Sequence, residues 1–158
     1  MPGIDECLLQ AMTLPGARGA ALVDWSSGLA LGTVGESPVG DHETTAAETA
    51  ELARAAAEYE SFASAGPPPE PTFRSAAEVP DGRPGGRTTG GTEGAPGADG
   101  PPVEDLIVTT RTGYHVLRFV NTSFDSSVFL HLWLDRAEGN LALARIRLRD
   151  LAEGLVLR

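Results

Sequence analysis

The chain of 158 residues contains no lysine. All 12 basic residues are arginine, set against 22 acidic ones, and the formal net charge is −10. A general nucleic-acid surface needs a basic stripe to displace counterions, so this balance argues against nucleic acid. It also argues against anionic membranes and favours solubility. Without lysine there is no Walker-type phosphate loop, whose lysine reaches the nucleotide. Cysteine is almost missing: Cys7 stands alone, which excludes an intramolecular disulfide and a cysteine-cluster metal site. No apolar run approaches the roughly 20 residues that span a bilayer. The N-terminal "MPGIDECLLQ" lacks a basic region followed by a long apolar core, so no secretory signal is expected and a cytoplasmic location is the simplest reading.

Proline and glycine are plentiful but unevenly spread. Residues 64–103 hold 9 of the 12 prolines and 9 glycines, with Phe73, Val79 and Val103 as the only large apolar side chains. Such a stretch buries too little surface to offset the entropy of ordering itself. It is expected to be a disordered insert, since structureless loops longer than about 15 residues are uncommon inside a compact domain.

The flanks carry regular patterns. A short helix over about residues 4–13 ends at Pro15–Gly16. In "GAALVDWSSGLALGTVG" two apolar runs, 20–25 and 29–34, flank the turn signal Ser26–Ser27–Gly28. A phosphate-cradling loop runs from strand to helix, so these glycines read as a hairpin turn instead. A second helix starts at Asp41, a plausible N-cap. Ala46, Ala50, Ala53 and Ala57 share one of its faces, and Leu52, Ala56, Tyr59 and Ala63 form an adjoining stripe.

Beyond the insert, residues 105–110 and 114–120 form a hairpin over Arg111–Thr112–Gly113, with Gly113 expected in the left-handed region. The nearly continuous apolar run 127–134 reads as a central strand covered on both faces. Leu141, Ala144, Leu148, Leu151 and Leu155 mark the seam of a last helix capped by Asn140. Neither flank alone covers its sheet. Together they predict one α+β domain over 1–158, interrupted at 64–103. Its element order is α-β-β-α-β-β-β-α: a five-stranded antiparallel sheet with helices on both faces, a three-layer α/β/α arrangement.

That order, with Pro15–Gly16, "GAALVDWSSGLAL", "LIVTTRTGYHVLRFV" and "FLHLWLD" followed by a helix, resembles the roadblock (dynein light-chain) family, also described as roadblock/profilin-like. The resemblance covers nearly everything outside the insert. It implies a third strand at a sheet edge and a second helix on one face, and a homodimer formed through both with the sheet continuous across the pair. Ala46, Ala50, Ala53 and Ala57, with Asp105, Ile107 and Thr109, are then the candidate interface residues. An uncovered β-branched edge needs a cover or a partner in any case. The resemblance further implies a small Ras-like GTPase as partner, or a scaffold role in a signalling complex.

Candidate chemistry is sparse. Strand alternation puts His115 on one sheet face with His131 and Trp133, but two imidazoles without a third ligand make a packed pair more readily than a zinc site. This face carries the alternative reading, a small-molecule or metal-sensing module. "DHE" at 41–43 reads as a cap, because consecutive side chains at a helix start diverge. Cys7 has only Asp5 and Glu6 beside it, which disfavour a thiolate. Asp24 with Asp125 is a conceivable carboxylate dyad, although a strand-end Asp more often stabilises a turn. Arg145, Arg147 and Arg149 form the only basic cluster, with Arg145 and Arg149 one helical turn apart; these two and Arg111 at the hairpin tip are the partner-binding candidates. No catalytic constellation and no cofactor are expected.

Overall fold

The computed structural model describes residues 3–63, 102–121 and 127–156. The elements are α1 (Ile4–Ala11), β1 (Ala17–Asp24), β2 (Leu29–Gly35), α2 (His42–Glu58), β3 (Asp105–Thr109), β4 (Gly113–Val120), β5 (Val128–Asp135) and α3 (Leu141–Val156), with a single 3₁₀ turn at Glu60–Phe62. The strands form one antiparallel sheet in the order β2-β1-β5-β4-β3. The expected order of elements is the observed one, and β5, the nearly continuous apolar strand, lies at the centre with Val128 to Leu134 buried.

Each face of the sheet has its own core. On one, Leu130, Leu132 and Leu134 of β5 and Val116 and Val120 of β4 pack with Leu8 and Ala11 of α1 and Ala144 and Leu148 of α3. On the other, Phe129, Leu117, Phe119, Ala21 and Val23 pack with Ala46, Ala50 and Ala53 of α2. Period-two alternation divides the apolar residues of β4 and β5 between the two cores.

Local signals place the elements. Asp41 caps α2: its carboxylate accepts from Glu43 N–H at 3.1 Å and from Thr44 Oγ1 at 2.7 Å. Asn140 caps α3 in the same way, its Oδ1 accepting from Leu143 N–H at 3.1 Å. Gly28 supplies the positive φ of +77° that closes the β1–β2 turn. Gly113 differs from the expectation, because its φ is not positive and it opens β4. A Cβ there would sit 2.6 Å from the Leu134 carbonyl oxygen, so glycine serves the close approach of β5. The 110–113 loop is held instead by Thr110, whose N–H donates to Gly113 O at 2.8 Å and whose Oγ1 accepts from Gly113 N–H at 2.9 Å.

Residues 64–101 of the expected insert, and Asp125 with the carboxylate dyad it would form, lie outside the described residues. Val103, counted with the insert, packs against the α2-side core.

Candidate functional site

The alanine face of α2 is turned inward. Ala46, Ala50 and Ala53 are buried against the chain's own sheet, and Ala57 packs beside them. Small side chains do permit a close backbone approach here, but the backbone approached is that of β1 and β2. The opposite face of α2 is the exposed one, with Glu48, Glu51, Leu52, Glu58 and Tyr59 open to solvent. Leu52 and Tyr59 thus belong to the surface, not to the wide packed stripe the spacing suggests. Arg54, the only cation of α2, folds back so that its guanidinium donates to the carbonyls of Trp25 at 2.8 Å and Ser26 at 3.1 Å. The outward charge of α2 is therefore acidic.

β3 forms the edge of the sheet beside β4. Phe119 N–H donates to Glu104 O, and Thr110 N–H donates to Gly113 O. Antiparallel residues alternate between facing the partner strand and facing away. Glu104, Leu106, Val108 and Thr110 therefore point their backbone groups at β4, while Asp105, Ile107 and Thr109 point theirs outward. Among the described residues, β4 is the only strand paired with β3. Ile107 and Val108 are more than a third exposed on this edge.

Side chains at the start of the edge are engaged within the chain. The Asp105 carboxylate accepts from Arg145 Nε at 3.0 Å and lies 4.0 Å from Arg118. One candidate interface residue and one candidate partner-binding residue thus hold each other, tying α3 to β3. Arg149 is 3.9 Å from Asp150 on its own helix and half-exposed. Arg111 is exposed at the β3–β4 tip. The three arginines do not converge, since Arg111 lies at the opposite end of β3 from the Asp105–Arg145 pair.

The histidine face is assembled as alternation predicts, with His115 opposite Trp133 and Leu117 opposite His131. His115 Nδ1 and His131 Nε2 are 3.0 Å apart, so one ring donates to the other, and the rings stack with centroids 5.2 Å apart. The Arg18 guanidinium lies 4.0 Å above the Trp133 ring, a cation–π contact that covers the outer end of the row. Burial pushes His131 down to about 3, with the charge of His115 adding to the effect, and burial also lowers His115. The space beside His131 and Trp133 is about 10 Å³, room for at most one water. Among the described residues no group of three His, Cys, Asp or Glu side chains is placed to hold a metal. His42, the third histidine, is instead within hydrogen-bonding distance of Gly35 O, at 3.1 Å.

Asp24 has a local role. Burial raises its carboxyl, but hydrogen bonds from Ser26, Ser127 and Ser27 outweigh burial and hold it below the usual carboxylate range. Cys7 is buried in the core between α1 and the sheet.

An edge strand β3, a central β5 and helices on both faces match the fold of solved roadblock structures. Among solved structures the chain is similar to Myxococcus xanthus MglB, with a TM-score of 0.59 at 14% identity, covering 93% of this chain and 80% of that one. It is similar to a structure described as MglB with tetrameric arrangement, with a TM-score of 0.60 at 15% identity, covering 96% and 84%. A Roadblock/LC7 domain from Streptomyces avermitilis gives a TM-score of 0.57 at 12% identity, covering 96% and 92%. No protein-family model and no curated protein matches the chain. No helix among the described residues is long and apolar enough to cross a membrane.

Proposed function

We propose that this chain is a non-enzymatic regulatory platform that pairs with a second copy along β3 and binds a small Ras-like GTPase or the signalling complex around one. The observation that carries the reading is the outward backbone of Asp105, Ile107 and Thr109 on an edge that no described strand covers. Such an edge is completed most simply by an identical edge, which extends one sheet across two protomers. The GTPase follows from the resemblance to roadblock proteins. The exposed α2 face, with its acids and with Leu52 and Tyr59, suits a partner surface that is basic with an apolar centre.

If the platform accelerates GTP hydrolysis, it does so by positioning the GTPase's own residues. Among the candidate arginines only Arg111 stands on an exposed loop tip as an in-trans donor, and among the described residues no side chain is paired with it to aim it. Residues 64–103 act as an insert within the one domain, and cleavage confined to them should leave the two fragments associated.

The test mixes the intact protein with a Ras-like GTPase from the same genome, loaded with GDP or with a non-hydrolysable GTP analogue. An equimolar complex with one nucleotide state is expected. Failure to bind either state contradicts the GTPase reading. A melting temperature raised by a metabolite or metal would favour the sensing alternative, which the closed space at His131 and Trp133 disfavours.

A further inference from the structure

On the α3 side of the sheet, a groove of about 340 Å³ runs between the β3 edge and α3. Three guanidiniums line it, those of Arg118, Arg145 and Arg149, against the carboxylates of Asp105 and Glu104, with the half-exposed Ile146 on the helix wall. The lining thus holds one more guanidinium than carboxylates in a chain of net charge −10, with Asp150 outside the lining 3.9 Å from Arg149. The three arginines are not equally engaged. Arg145 holds Asp105 at 3.0 Å. Arg118 reaches Glu104 and Asp105 only at 3.9 and 4.0 Å, its side chain is 17% exposed, and its buried Nε has no hydrogen-bond partner among the described residues. An unsatisfied buried donor on a cation is costly, and a counter-charge at the exposed part of the Arg118 side chain would offset some of that cost. Arg149 has only the long contact to Asp150 and is open to solvent.

We propose that this groove is a docking site for an acidic, extended segment of a partner protein. A carboxylate of that segment sits between Arg118 and Arg149, and a neighbouring apolar side chain lies on Ile146. The charge pattern selects this occupant. A free phosphate would bring about two negative charges beside Asp105 and Glu104, whereas one carboxylate adds a single charge and leaves the guanidinium excess to balance it. Ile146 gives the segment an apolar anchor that a small anion cannot use. The site goes beyond the proposed GTPase platform and does not depend on it, because it is built within one protomer and lies on the sheet face opposite α2.

The test uses fluorescence anisotropy on the intact protein with a short labelled peptide centred on Glu-Leu-Glu, its Lys-Leu-Lys counterpart, and inorganic phosphate as competitor. The acidic peptide should bind, more weakly as salt rises, and the basic one should not. Arg149→Glu should weaken binding by about tenfold or more, since it reverses an exposed charge in the groove. Arg147→Glu changes an exposed arginine on the same helix outside the groove, and should leave binding within about twofold. Circular dichroism checks that both variants fold. Lack of binding by the acidic peptide, equal losses in the two variants, or full displacement by phosphate at stoichiometric levels would each overturn the proposal. The last of these would make the groove a site for small anions.

Discussion

His131 carries the sharpest consequence at the scale of single residues. Its folded-state pKa lies near 3, and an unfolded histidine titrates near 6.5. The unfolded chain therefore binds a proton at a pH where the folded chain refuses it, so stability is intact above about pH 6.5 and is lost as pH falls toward 3. Over the first 1.5 units below 6.5 the loss is about 2 kcal/mol, an order-of-magnitude figure. Urea unfolding at pH 7.5 and pH 5 should show that drop, and His131→Leu should flatten it. An unchanged slope in the variant would mean that other groups set the acid sensitivity. The pairing of His115 with His131 was legible from strand alternation, because period two puts both on one face. Their lack of room for a ligand was not legible, since it depends on how α2 and Arg18 close over the row. Asp41 was equally plain in the sequence, and Asp41→Ala should lower stability by removing the cap of α2, measurable by the same unfolding experiment.

Among the elements, α2 separates what a periodic pattern reveals from what it hides. The spacing of Ala46, Ala50 and Ala53 identifies one face of a helix, but spacing alone does not say whether that face meets its own sheet or another protomer. The sheet decides it: with α1 and α3 on the far side, Ala21, Val23 and Phe129 need cover, and the alanines supply it. Ala53 is fully buried, so Ala53→Leu should destabilise the protein by about 1–3 kcal/mol through overpacking. Leu52→Glu on the outer face should leave stability within about 0.5 kcal/mol. Paired thermal melts check both, and similar losses in the two variants would contradict the inward orientation. The hairpins and the central β5 were readable because turn residues and apolar runs are local. The role of Gly113 was not, because its contact with the Leu134 carbonyl forms at the open end of the β4–β5 pair, away from the loop that joins the two strands. The bond between Asp105 and Arg145 spans 40 positions and escaped because it too is not local.

For the whole molecule, the central claim is that two chains complete their sheets through β3. Ile107 points its N–H away from β4, so Ile107→Pro removes a donor from the outer edge and leaves the β3–β4 ladder intact. The change should therefore spare the fold and strike the pairing. Size-exclusion chromatography with light scattering on the intact protein and on Ile107→Pro is the most direct measurement. A dimer that becomes a folded monomer on this substitution is the predicted result. A monomer in both proteins, or a dimer unaffected by the proline, would contradict pairing through β3.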